Sequence, residues 1–144
     1  MRLSKHATGI VSLTILAATL ILEMLPFGAV LIFAPGPDER IKQTFAYFSL
    51  IPFGYANFFP LLTAILSVAS AILLTIALIK KVNITHLQKA IVISTASAFI
   101  LSIMPGLIFG TAYMTAVGAF ISMLLLSLLI VQALTNKKES QGSL

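Results

Sequence analysis

Charged residues are scarce in this chain of 144 residues, which holds nine Lys or Arg and four Asp or Glu. They make up 9% of the chain, against about 25% in ordinary soluble domains. Hydrophobic residues make up 59%, and a soluble fold of this size could not bury so much apolar surface. A lipid bilayer removes the need to bury it, so the composition predicts a membrane protein.

Other absences narrow the function. The chain has no cysteine, which excludes disulfides, thiolate metal sites and thiol catalysis. The net charge is +5, but no more than two basic residues are consecutive and no aromatic–basic platform appears, so we expect no nucleic-acid partner. The two histidines, His6 and His86, stand alone, which predicts no metal site.

The motifs of catalysis are also missing. No span contains paired carboxylates, and the chain has no serine–histidine–acid set, no HExxH and no phosphate-binding glycine loop. We therefore expect no catalytic residues, no cofactor and no enzymatic activity.

Long uncharged stretches separated by short charged breaks predict the fold. A helix crosses a hydrocarbon core of about 30 Å with about 20 residues, and in lipid each span must be helical because its backbone has no water to bond. We predict an all-α fold, a four-helix transmembrane bundle formed as a single domain over residues 1–144. The expected spans are about 7–28, 58–79, 87–105 and 111–134, and the polar tail 136–144 is expected to be disordered.

The distribution of basic residues predicts the orientation. Seven of the nine Lys and Arg lie near the termini or in the second connection, and only Arg40 and Lys42 lie on the other side. Because basic loops stay inside, both termini should face the cytoplasm, with the chain in the plasma membrane. No cleavage site follows Glu23, so we expect the first span to be retained rather than removed as a signal peptide.

The connection between the first two spans, about 27–57, is the only long one. It holds nine of the thirteen aromatic residues if its last boundary pair is counted, which makes it an aromatic-rich outer loop. The run from Pro35 to Pro37 predicts a turn, and the acids that follow it suit the start of a short helix. We expect that helix to anchor the loop at the membrane surface; a ligand-gripping lid and a small β-hairpin are the alternatives. The helical face would contain Ile41, Phe45 and Phe48.

Glu23 is the only charged residue inside a long apolar stretch. Counted from Ala7, it lies about 24 Å along the first helix. An ionised carboxylate within the hydrocarbon costs about 2.5–3.5 kcal/mol, so Glu23 should need a partner. No Lys or Arg lies within another span, and the candidate partners are therefore Arg40, Lys42, Tyr55, Asn57 and Tyr113.

Three hydroxyl residues share a helical face with this acid. At about 100° per residue, Thr8, Ser12, Thr19 and Glu23 fall within an arc of about 80°, which should face the bundle interior. One interpretation is a hydrogen-bonded seam between helices that ends in a salt bridge to the outer loop. The other is a pathway for a proton or cation.

Small residues recur at four-residue spacing on the other three helices. Such patterns let helices approach closely in lipid. We expect them to pack the bundle, and they leave open self-association or contact with other membrane proteins through the same faces. The three sets are Ser67, Ala71 and Thr75; Ser94, Ala98 and Ser102; and Gly118 and Ser122.

One stretch carries a resemblance. The sequence Ile51-Pro52-Phe53-Gly54-Tyr55-Ala56-Asn57-Phe58-Phe59-Pro60, with Leu25-Pro26-Phe27-Gly28-Ala29-Val30-Leu31 upstream, resembles a group of small four-span proteins of Gram-positive bacteria. The resemblance covers most of the chain and implies a four-span bacterial membrane protein, but it implies no function. The absence of tryptophan and of paired cysteines separates the chain from small multidrug resistance transporters and from claudin-like proteins.

These features together predict a non-enzymatic, multi-pass membrane protein that acts as a structural or accessory component of a membrane assembly. The alternative is a small proton-coupled transporter or channel subunit in which Glu23 is the ionisable centre.

Overall fold

The fold consists of four long helices, one two-stranded sheet and two short helical turns. A computed structural model describes residues 5–80 and 85–141, with side chains over 7–79 and 86–135. In chain order the elements are α1 (Lys5–Met24), β1 (Ala29–Gly36), β2 (Glu39–Phe45), α2 (Leu50–Gly54), α3 (Phe59–Lys80), α4 (Thr85–Ile108), a 3₁₀ turn (Thr111–Tyr113) and α5 (Ala116–Gln141).

The predicted four-helix architecture is confirmed. The helices α1, α3, α4 and α5 are each long and apolar enough to cross a membrane, so the chain is a multi-pass membrane protein. Around the bundle, α1 packs against α3 and α5, and α4 packs against the same two helices. The centre is filled by completely buried side chains that include Leu16, Ile121, Leu125 and Leu128.

The two ends of the bundle differ. At one end lie the sheet, α2 and the 3₁₀ turn, and we call it the hairpin end. The other is the terminal end, where α1 begins, α3 ends, α4 begins and α5 ends. Large apolar side chains such as Ile21, Ile79 and Met123 are more than 60% exposed on the outside of the bundle, as a surface in contact with lipid requires.

The span boundaries need correction. The first helix ends at Met24 rather than near residue 28, because Pro26 follows and the chain turns. The third span continues past Pro105 to Ile108. The fourth begins at Ala116, since the residues before it form the 3₁₀ turn, and it runs on to Gln141, so the expected disordered tail is helical that far. Residues 142–144 lie outside the described part.

The expected surface helix in the loop after α1 is wrong, and the β-hairpin alternative is correct. The strands pair antiparallel from Ala29 with Phe45 to Phe33 with Ile41, and the turn residues Gly36 and Glu39 pair after an irregularity. The first three residues of β1 are at most 6% exposed. A buried extended backbone needs hydrogen-bond partners, and β2 supplies them along one edge.

Local packing holds the hairpin against α1. The backbone N–H of Tyr47 donates to the carbonyl of Glu23 at 2.9 Å, which satisfies one of the last carbonyls of the helix. A Cβ on Gly28 would lie 2.7 Å from Tyr47 Cδ1, so only glycine allows the ring to lie this close. The hairpin is therefore part of the bundle rather than a loop on its surface.

Candidate functional site

The candidate site is centred on Glu23, which is completely buried one residue before the end of α1. The hydroxyl of Ser67 on α3, also completely buried, donates to Glu23 Oε1 at 2.8 Å. Glu23 Oε2 is buried and has no hydrogen-bond partner in the described part of the chain. The contact joins α1 to α3 and leaves one carboxyl oxygen unsatisfied.

None of the five expected partners makes this contact. Arg40 and Lys42 are exposed on β2, and Tyr55 is 64% exposed beyond α2, edge-on to Phe33. The last two lie elsewhere at the hairpin end: Asn57 donates to the carbonyl of Val30 at 3.3 Å, and Tyr113 packs against Phe109. The salt bridge that the seam interpretation expected is therefore absent among these residues, and a serine takes its place.

Sequence reasoning included Ser67 only among the packing residues. The two partners lie 44 residues apart in the sequence. They meet because the end of α1 lies beside Ser67, which is about 12 Å along α3 from its first residue at about 1.5 Å per residue. The four-residue repeat of small residues on α3 was the available signal, but it does not distinguish packing from hydrogen bonding.

Sequence reasoning missed Tyr47, which covers the site from the hairpin. It follows β2, is 3% exposed and bonds to the backbone of Glu23. Burial, and then the negative charge of the nearby Glu23 carboxyl, raise the pKa of Tyr47 well above its ordinary value of 10.0. The phenol therefore stays neutral over the whole physiological range.

The hydroxyl stripe of α1 lies where helical geometry predicts. Ser12 and Thr19 are at most 3% exposed, and Thr8 is half-buried. The hydroxyl of Thr19 bonds to the carbonyl of Ile15, four residues back on its own helix. The stripe thus faces the interior, and its role as a proton or cation pathway stays a prediction.

A second polar group lies deeper in the bundle. Ser70 and Ser94 join α3 to α4 at 2.7 Å, and Thr95 reaches Ser70 at 3.4 Å. Gln132 on α5 donates to Thr95 Oγ1 at 3.4 Å, while its own Oε1 is buried without a partner among the described residues. Neither residue stood out in the sequence: Gln132 is isolated in a long apolar run, and Thr95 lies between Ser94 and Ser97 in a cluster of small residues that predicts only close packing.

The small-residue faces are used inside the bundle. Ser102 on α4 and Ser122 on α5 lie 2.9 Å apart and are buried. The backbone of Gly118 lies against Gly28 and Tyr47. These residues pack α4 and α5 within one chain, whereas Ala71, Thr75 and Ser94 of the other sets are only half-buried.

The part of the chain with described side chains contains no group of three or more His, Cys, Asp or Glu that could hold a metal ion. Comparisons with protein families, curated proteins and solved structures find no match to this chain. The function of the chain must therefore be inferred from the chemistry of the site itself.

Proposed function

We propose that this protein is a non-enzymatic membrane protein that serves as a structural or accessory component of a membrane assembly. The observation that supports this most strongly is how the interior polar groups are used. Hydroxyl groups on two helices, Ser67 and Ser70 on α3 and Ser102 on α4, bond across to a neighbouring helix. The completely buried side chains also include Leu16, Ile121, Leu125 and Leu128, so the interior has the character of a packed seam.

The setting we propose is the plasma membrane of a bacterium, with the terminal end in the cytoplasm. In the sequence, seven of the nine basic residues lie near the termini or around the connection between α3 and α4, and this asymmetry supports the orientation. The hairpin would then lie on the outer side, with Arg40 and Lys42 exposed to solvent.

An accessory role predicts a stable partner. Extracted from its native membrane in mild detergent, the chain should migrate in a complex larger than the purified protein, together with another membrane protein at fixed stoichiometry. Migration of the native chain at the size of the purified chain alone would contradict the proposal.

Proton coupling is the second candidate, and the unpaired Oε2 of Glu23 favours it. A carboxyl oxygen buried without a donor is costly, and ionisable groups within spans commonly belong to ion or proton pathways. In liposomes with a pH gradient, a transporter would carry protons and Glu23→Gln would stop the flux while the fold persists. The accessory role predicts no flux from either protein.

A further inference from the structure

A small cavity lies at the hairpin end, apart from the Glu23–Ser67 contact. It is bounded by the base of β1, the last turns of α4 and the turn before α5. Its volume is about 10 Å³, which is close to the room that one water-sized species occupies. The residues of its lining that matter here are Gly28, Tyr47, Asn57, Ser102, Pro105 and Thr115.

Asn57 has a buried side-chain oxygen that a ligand in the cavity would satisfy. The residue is 3% exposed, and its amide nitrogen donates to the carbonyl of Val30. That bond fixes the orientation of the amide, which leaves Oδ1 as the buried atom without a partner in the described chain. Leaving such an acceptor unsatisfied costs about 1–3 kcal/mol, so a ligand that fills the cavity is favoured.

Several donors around the cavity are already used, although the neutral phenol of Tyr47 still carries its proton. The Thr115 hydroxyl donates to the carbonyl of Gly28 at 3.0 Å, and the N–H of Gly118 at the start of α5 donates to Thr115 Oγ1 at 2.9 Å. The Ser102 hydroxyl lies 2.7 Å from the carbonyl of Phe99 and 2.9 Å from Ser122 Oγ. The positive end of α5 is thus capped, and an anion would find few free donors.

Oxygen acceptors, by contrast, are in excess. Besides Asn57 Oδ1, the carbonyl of Gly28 belongs to the irregular backbone after α1 and has a second lone pair. Tyr47 contributes a phenol oxygen.

We propose that this cavity binds one small monovalent cation of the size of sodium. Its ligands are neutral oxygens from the Asn57 amide, the backbone near Gly28 and the Ser102 hydroxyl. Divalent cations prefer carboxylate ligands, which the lining does not have. Irregular backbone that lines a cavity at a helix break is a setting in which membrane proteins coordinate sodium.

The test is thermal unfolding of the full chain in lipid nanodiscs, in sodium, potassium or choline chloride at constant ionic strength. Sodium should raise the melting temperature in a saturable way, and choline should not. Asn57→Leu should abolish the sodium effect. If that variant does not fold, Ser102→Ala decides, because loss of one oxygen should weaken the apparent affinity by about fivefold to tenfold.

Ser94→Ala is the matched control. Ser94 is on the same helix, bonds to the carbonyl three residues back and pairs with a serine on a neighbouring helix, as Ser102 does. It lies outside the cavity, so Ser94→Ala should keep the affinity for sodium. Equal melting temperatures of the wild type in all three salts would overturn the proposal and leave water as the occupant. Equal weakening by Ser94→Ala and Ser102→Ala would overturn it as well.

Discussion

Two polar contacts lie at nearly the same depth on opposite sides of the bundle. Glu23–Ser67 joins α1 to α3, and Ser102–Ser122 joins α4 to α5. At about 1.5 Å per residue, Ser67 lies about 12 Å from the hairpin end of its helix, and the serine pair lies about 9 Å from the same end of theirs. The serines also bond to carbonyls of their own helices, whereas Glu23 keeps one buried oxygen without a partner among the described residues.

This difference shows that joining two helices requires only hydroxyl groups, and that the buried carboxyl of Glu23 goes beyond this requirement. Two hydroxyls are enough to join α4 to α5, and they leave no unsatisfied side-chain atom. A buried carboxyl joins α1 to α3 at a higher desolvation cost, and an apolar pair of similar volume would serve packing as well. Glu23 is therefore the residue whose presence packing alone explains least.

The largest effect should come from Ser67→Ala. It removes the only hydrogen bond that the described residues make to the Glu23 carboxyl, and both oxygens would then be buried without a donor. We expect a loss of about 2 kcal/mol in the free energy of unfolding, measured in detergent or nanodiscs. If Ser67→Ala lowered the free energy of unfolding as little as Ser122→Ala, a buried carboxyl without its donor would cost no more than the loss of a hydrogen bond between two hydroxyls.

An alkaline titration of stability tests whether Tyr47 is buried beside Glu23. Since the pKa of Tyr47 is raised in the folded state, the unfolded chain releases this proton first. The free energy of unfolding should be unaffected below pH 10 and should fall above it by up to about 1.4 kcal/mol per pH unit.

Tyr47→Phe should remove this part of the decrease, and Tyr55→Phe is the control because Tyr55 is 64% exposed. If the wild type and Tyr47→Phe have the same alkaline profile, Tyr47 is not buried beside the acid.

The smallest effect should be that of Ser122→Ala on the other side of the bundle. Ser102 keeps its bond to the Phe99 carbonyl when its partner is lost, so nothing is left unsatisfied. Hydrogen bonds between membrane helices average about 0.6 kcal/mol, and we expect a loss of that size in the same unfolding measurement. A loss above 2 kcal/mol would remove the contrast between the two contacts.

The spans could be predicted because the length and polarity of a membrane helix are local properties. The hairpin could not, since Ile41, Phe45 and Phe48 fit one helical face although the segment is also rich in aromatic residues that favour strands. What decided between them was the burial of Ala29 to Leu31 among the helix ends, a tertiary contact without a local signature. The partner of Glu23 was missed for a related reason: its depth depends on where α1 ends relative to α3.

A double-mutant cycle between Glu23 and Ser67 tests most directly the central claim that their hydrogen bond joins α1 to α3. Ser67→Ala should cost about 2 kcal/mol in the wild-type background and little in a Glu23→Leu background, where no carboxyl remains to be satisfied. A coupling energy of about 1 kcal/mol or more is the predicted result. An equal cost of Ser67→Ala in both backgrounds would contradict the claim.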